Sequence, residues 1–521
     1  MAFGESFTEQ QRARLAPFVS DLDAPVFALL GLPDVTCGAL FARYSRYPGT
    51  LRQLLLDEFA EELDAGPGAA AGARASALYE RVLGEYGDDS VAQLGGVHIA
   101  CEWVSNVLTK VLQRPRLGAY LEQSTRYIAY DRPMPDGRYR YHREDELGPD
   151  YERTMDSLFE TYALSLGRLE AWLAERFAVS EGASPAAHSR AVRAKALDLV
   201  RGLLPASALS HVGIFASGQT FERLILHLRA HPLPEAKRCG EQLLAAVRVA
   251  APSFVTRVER PERGGEWVSF LRRRGAAQAR VAARLALRDG GGEQPAGVRL
   301  LRADGDELQL LAALLFEDSR QGEEQALGAV AQLSARERGA LLAELLGGRQ
   351  NRRHLPGRGL EALRYRFELV SDYGAFRDLQ RHRMLTVQWQ PLTAHLGADV
   401  PVEVEQAGLG SEFRGALERS RGAWQRLLDA GLDQHAPYAL CLAHRVRYVL
   451  DLNAREAMHL IELRSAREGH AAYRALALQM HEQIAAVHPA VAAAMAHVGE
   501  HGGSRLERLA AEVRREHRAT G

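Results

Sequence analysis

The chain has 521 residues, 46% hydrophobic and 25% charged, which allows more than one domain with its own core and excludes a disordered or fibrous protein. A formal net charge of -1 excludes the broad basic field of a protein that coats nucleic acid, so any anion must be held locally. No apolar run reaches membrane-spanning length, and the four cysteines (Cys37, Cys101, Cys239, Cys441) form no C-x-x-C pair, so neither a disulfide frame nor a metal site is expected.

Residues 1–86 read mainly as helices, with Leu51, Leu54, Leu55 and Phe59 on one face and Leu78, Val82 and Leu83 on another. MAFGESFTEQ has no basic region followed by an apolar run, so no signal peptide is expected and the protein is placed in a reducing cytoplasm. Gly87-Asp88-Asp89-Ser90 breaks the helical pattern. A mixed stretch from Val97 to Cys101 leads into an expected helix through Val104, Leu108, Val111 and Leu112. That helix delivers Arg114-Pro115-Arg116, and then Glu122-Gln123-Ser124-Thr125-Arg126-Tyr127, a short run of donors and acceptors that suits either a phosphate with a polar ring or a plain polar turn. From Asp150 to about Ala250 the pattern is helical again.

Arg272-Arg273-Arg274 reads as a solvated helix face. Residues 289–297, with Gly290-Gly291-Gly292 and Pro295, read as a linker between domains at 1–288 and 298–521. Beyond it the order of events recurs: helices, a break at Arg353-His354-Leu355-Pro356-Gly357, a strand, a basic loop and late helices, the pattern of a duplication. In the strand, Leu363, Tyr365, Phe367 and Leu369 alternate with Arg364, Arg366 and Glu368, and a helix opens near Ser371-Asp372. That helix carries Asp378 and ends in Arg381-His382-Arg383, which is either a solvated basic end or an anion-holding cluster. Late in the chain Asn453 can cap a helix with Glu456 three residues on; Arg455 and His459 share a face, and Arg464 falls roughly opposite. An amphipathic helix with a basic rim would look the same.

These pieces resemble the flavin-dependent thymidylate synthases, whose signature is Arg-His-Arg-x-x-Ser-x-x-x-x-Ser-x-Arg-Tyr. The front half keeps the Glu122-to-Tyr127 end and puts Pro115 at the central His; the back half keeps Arg381-His382-Arg383 and puts Pro391 and Thr393 at the late Ser and Arg. Ala42-Arg43-Tyr44-Ser45 resembles an early segment of that family, and Asn453-Ala454-Arg455 through Arg464 its late Asn-x-Arg helix. The resemblance implies an α+β fold of two homologous, helix-rich domains, each with a mixed or antiparallel sheet. It also implies FAD, NADPH and methylenetetrahydrofolate, with dUMP methylated to dTMP and no metal, nucleic acid or membrane partner. A homodimer would act as a pseudo-tetramer.

By position, Arg381, His382, Arg383, Asn453, Arg455 and His459 would hold FAD. Glu122, Gln123, Ser124, Thr125, Arg126, Arg201, Asp378 and Arg381 would hold the nucleotide. Arg464 would sit against the pyrimidine, favouring ionisation at N3 and nucleophilicity at C5. The losses are complementary, so one front loop and one back helix would make an intact composite site, while the reciprocal site, with Pro115, Gln219, Leu228, Pro391 and Thr393, would be dead. Asp378 stands where the family commonly has Gln, and Thr386 replaces the first Ser. A flavoenzyme for another pyrimidine, or a non-catalytic nucleotide- or flavin-binding descendant, are the competing expectations.

Overall fold

A computed structural model describes residues 6–68, 93–180, 182–287, 292–500, 502 and 505–520. Leu78, Val82, Leu83, the Gly87–Ser90 break and residues 289–291 of the expected linker lie outside them. The chain forms two compact units. The first is Met1–Val104, Val111–Glu122 and His211–Arg288; the second is Ser105–Lys110, Gln123–Ser210 and Asp289–Gly521. The second unit thus takes two segments from the front half as well as all of the back half.

The first unit is organised on strands β1 (Gly96–Ser105), β2 (Gly118–Glu122) and β3 (Leu209–Ser217), in the order β1-β3-β2. β2 and β3 are antiparallel, with Gly118 opposite Ala216 and Glu122 opposite Val212. Val104, expected in a helix, is in β1, and the helix proper is Asn106–Leu112. β3 also interrupts the stretch expected to be helical from Asp150 to Ala250. Val212, Ile214 and Ala216 are buried there while Gly213 and Phe215 are exposed, a short period-2 signal overshadowed by the long helical runs around it. In the N-terminal segment Leu51, Leu54, Leu55 and Phe59 are buried, and Arg43 pairs with Glu58 at 2.7 Å. Arg272, Arg273 and Arg274 are exposed on the Glu266–Arg284 helix.

The second unit holds an antiparallel sheet of β4 (Gly297–Asp304), β5 (Arg364–Asp372), β6 (Thr386–Trp389) and β7 (Arg445–Asn453), in the order β4-β5-β7-β6. The alternation in β5 is as expected: Leu363, Tyr365, Phe367 and Leu369 are fully buried, while Arg364 is exposed. At its end β5 runs straight into the Tyr373–Leu379 helix. Asp372 caps that helix by accepting the Ala375 N–H at 2.9 Å, which satisfies one of the donors a helix start leaves unpaired. The joint after β7 is alike, since Asn453 accepts the Glu456 N–H at 2.9 Å and opens the Ala454–Arg464 helix. In the front half β1 leads into Asn106–Leu112 and β3 into Gly218–Ala230, the latter capped by Ser217. Each half therefore carries two strand-to-helix joints, one early and one late.

The duplication is also written into backbone hydrogen bonds within the second unit. The Ala206 N–H donates to the Leu440 carbonyl at 2.7 Å, and the Leu442 N–H donates to the Leu204 carbonyl at 2.8 Å. Ser207 to Tyr438 (3.2 Å) and Ala443 to Gly202 (2.9 Å) form a second such pair, and Val107 to Ala206 with Gly374 to Leu442, both 3.2 Å, a third. Each bond has its image under a local two-fold, with Pro205 opposite Cys441 at the centre.

Tyr365 and Phe367 carry the centre of this core. Phe367→Ala should cost about 3–5 kcal/mol in urea unfolding, Asn453→Ala about 1 kcal/mol through loss of the cap, and Arg273→Ala within about 0.5 kcal/mol as a surface change.

Candidate functional site

All seven residues of the Tyr373–Leu379 helix are buried, so its one acid, Asp378, needs cationic partners. Arg201 Nη1 donates to Asp378 Oδ2 at 3.2 Å, and Arg381 donates to Oδ1. Burial alone would push this carboxyl up; the guanidiniums of Arg381, Arg201, Arg464 and Arg126 outweigh it and hold Asp378 far below the usual carboxylate range. Arg201 comes from the front half and Arg381 from the back, so this carboxylate joins the two repeats.

A second acid organises the front loop. The turn at Ser124–Tyr127 is closed by the Ser124 hydroxyl, which accepts the Arg126 N–H at 3.2 Å. Arg126 then grips Asp198 with both Nε and Nη2, each at 2.7 Å, and Arg508 reaches the same carboxylate at 3.2 Å. Burial pushes Asp198 up, but Arg126, His470 and Arg508 bring it down to about 2.

Arg126 Nη1 also donates to the Tyr473 hydroxyl at 2.8 Å, and the Arg464 guanidinium stands 5.5 Å from the centre of the same ring. The front loop and the back helix therefore meet on one phenol. Arg464 Nε donates to His382 Nε2 at 2.9 Å, and His382 Nδ1 lies 3.0 Å from Glu456 Oε1. An imidazole that accepts on one nitrogen and donates on the other is neutral. Burial, followed by Arg464, His459 and Arg381, keeps its pKa well below the ordinary histidine value. The Arg-His-Arg run is thus not three crowded cations: His382 is a neutral acceptor that fixes Arg464, and Arg381 is paired with Asp378.

Five guanidiniums (Arg126, Arg201, Arg381, Arg464, Arg508) face the ionised carboxylates of Asp198 and Asp378, and above about pH 6 that of Asp372 as well, so the cluster keeps an excess of positive charge. Arg201 is the residue left incomplete. It is 4% exposed, and its Nε and Nη2 make no hydrogen bond, with Asp372 Oδ1 4.0 Å from Nη2. Gly374 admits it against the helix start, since a Cβ there would lie 3.2 Å from both nitrogens. Such buried, aimed donors fit an oxygen-rich anion. An adjoining cavity of about 440 Å³, reached by Arg201, Asp372 and His470, has more acids than bases on its wall, because Asp198, Asp399, Glu403 and Glu507 also line it.

Other expected residues lie as follows. Arg383 is exposed. His459 packs edge-on against His382, with ring centres 5.5 Å apart. Arg455 is directed at the Pro356 carbonyl (3.0 Å) and at Glu361 (3.7 Å). Asn453 uses its oxygen as the helix cap, Gln123 accepts from Arg140, and Thr125 is buried. Glu122 closes β2 in the first unit, where Gln113 donates to it at 3.0 Å. Sequence reasoning missed Asp198, His470, Tyr473 and Arg508. Asp198 precedes Arg201 by three residues at a helix end, the one local hint; the others reach the cluster through tertiary packing alone.

The profile of the thymidylate synthase complementing protein family matches residues 44–253 and 300–490, once on each side of the expected linker. The chain belongs to this family. It is similar to a UPF0159 protein of Chlamydia muridarum (strain MoPn / Nigg), at 36% identity over 538 residues, covering 98% of each chain. A UPF0159 protein of Thermoplasma acidophilum is 31% identical, with 93% of this chain and 99% of that one covered. Among solved structures, a UMP/dUMP methylase, PolB from Streptomyces cacaoi bound with 5-Br dUMP, aligns with 40% of this chain and 97% of its own, at 19% identity and a TM-score of 0.32, too slight a likeness to bear on function. The family match and the two antiparallel sheets together establish the two-domain, helix-rich α+β class. No helix among the described residues is long and apolar enough to cross a membrane.

Asp372 gives the cluster a pH signature. Burial raises its pKa to about 6, against the partial relief of Arg201. A carboxyl raised in the fold favours the native state below its unfolded pKa, and that contribution is lost as pH rises through about 6. Asp372→Asn, which keeps the cap oxygen, should therefore raise stability at pH 7.5 by about 1–2 kcal/mol. The gain should vanish by about pH 4, as read from melting midpoints of both proteins across pH.

Proposed function

We propose that the chain is a nucleotide methyltransferase of the thymidylate synthase type, methylating dUMP to dTMP with methylenetetrahydrofolate and NADPH on a bound FAD. The site is composite, made of the front loop and the back helix, and a pair of chains would serve as the pseudo-tetramer. One observation carries this reading: Arg126 of the front half and Arg464 of the back half converge on Tyr473, beside Asp378, Arg201 and Arg381.

The residues present suit a nucleotide and a dinucleotide cofactor. The unsatisfied N–H groups of Arg201 and the excess of guanidinium charge fit phosphate or ring oxygens, and forked donors bind such groups strongly in a partly dry cleft. Arg381, His382, Arg383, Asn453, Arg455 and His459 are the set that would hold FAD, which when bound supplies the redox chemistry. Arg464 would lie against the pyrimidine and stabilise negative charge as the N3 proton leaves; His382 positions it by accepting from Nε. Ser124, Arg126, Arg201 and Asp378 would orient the nucleotide, and Gln123 and Thr125 shape the turn that presents them.

A second reading has its own observation. Asp198 and Asp378 already occupy Arg126, Arg201 and Arg381, which in a phosphate-binding site would be open to the ligand. A pyrimidine substrate with less negative charge than dUMP would fit that arrangement.

Tritium release from [5-³H]dUMP with FAD, NADPH and methylenetetrahydrofolate tests the first reading. It should fall at least about 100-fold in Arg464→Ala, in line with the loss of one transition-state donor, and be unchanged in Pro115→Ala. Asp378→Gln removes one like charge from a phosphate site, worth about tenfold in dUMP affinity, and also the partner of Arg201 and Arg381; dUMP binding should tighten where circular dichroism shows the fold intact. Release from uridine but not from dUMP would favour the second reading, and flavin binding with no turnover would mark a non-catalytic descendant.

A further inference from the structure

A second cluster of ligating side chains lies in the same unit, apart from the arginines. His142 is pinned by its N–H to the Ser207 carbonyl (2.9 Å) and by its carbonyl to the Tyr151 hydroxyl (3.0 Å). The chain then passes through Glu144, Asp145 and Glu146 in a single 3-10 turn that Glu144 opens. Facing it is His435, which opens the short Ala436–Ala439 turn of the back half. Single ligand atoms of Glu144, Glu146 and His435 all lie within 4.8 Å of one another.

Two details make this more than a solvated pair of acids. Two of the three side chains are enclosed: Glu144 and His435 are 12% and 6% exposed while Glu146 is open to solvent, and the buried Tyr438 ring packs 4.8 Å from His142 and 6.1 Å from His435. Glu146, brought up against a second carboxylate, makes no hydrogen bond or ion pair among the described residues. Glu144 already has an imidazole at each oxygen, His142 at 2.7 Å and His435 at 3.2 Å, and Glu146 adds a carboxylate that a shared cation would hold to them.

We propose that Glu144, Glu146 and His435 bind a divalent first-row transition metal ion, with His142 orienting Glu144 from outside the coordination shell. Two carboxylates and an imidazole suit Zn²⁺ or a neighbouring metal more than Mg²⁺, which prefers oxygen ligands alone. Ligand atoms about 2.0–2.1 Å from a tetrahedral ion lie about 3.3 Å apart. His435 Nε2 and Glu144 Oε2, hydrogen-bonded here, are already at 3.2 Å. The other oxygen, Oε1, faces His142 Nε2 at 2.7 Å, the outer contact that commonly fixes a ligating carboxylate. The sequence offered no sign of it, because cysteine spacing speaks only to thiolate sites and these ligands are 291 residues apart.

Calorimetric titration of the EDTA-stripped full-length protein with ZnCl₂, in excess Mg²⁺, decides the matter. One equivalent should bind at micromolar concentration and raise the melting midpoint. Glu146 is exposed and makes no hydrogen bond or ion pair among the described residues, so Glu146→Gln keeps the fold and should weaken binding at least about tenfold; His142→Ala should weaken it by about 10–100-fold. His435→Ala, if its circular dichroism is native, should abolish it. No stoichiometric binding, or binding undiminished in Glu146→Gln, would overturn the proposal.

Discussion

The Asp378 carboxylate is the interaction on which the candidate site depends. It lies on a helix with no exposed residue, takes one guanidinium from each sequence repeat, and remains ionised because those charges outweigh the cost of burial. Removing either arginine would leave a buried charge short of a partner, a more serious loss than that of a surface pair. Through Asp378 the position of Arg201 is tied to that of Arg381. Through Tyr473 the position of Arg126 is tied to that of Arg464.

Positive charge here is arranged by acids and a neutral imidazole. Arg126 is clamped by Asp198, Arg464 is fixed by His382, and His382 is held in turn by Glu456. Each guanidinium is thereby ordered before any ligand arrives, which lowers the entropy cost of binding. Among the described residues Arg201 alone has two buried guanidinium nitrogens that make no hydrogen bond, which leaves it able to take an anion.

Much of this was legible in the chain, and the reasons differ residue by residue. The alternation at Leu363–Leu369 is a local consequence of strand geometry, and the four buried side chains follow from it. The caps at Asn453 and Asp372 are likewise local. That Arg126 and Arg464 come together, as they do on Tyr473, was readable because each repeat keeps what the other has lost. The sequence did not reveal Asp198, Tyr473 or Arg508, since nothing in their neighbourhoods marks them out and only packing brings them to the arginines. β3 was lost for another reason: its few alternating residues are outweighed by helices on both sides.

The local two-fold around Pro205 and Cys441 has a consequence for how such a protein can change. In an assembly of identical subunits, every substitution is copied to both ends of the axis, and an acid placed among arginines at one end appears at the other. With both repeats on a single polypeptide that obligation is gone: Asp378 has Val111 as its counterpart, just as His382 has Pro115. Fusion frees each copy to drift alone, and one could specialise while the other served as scaffold.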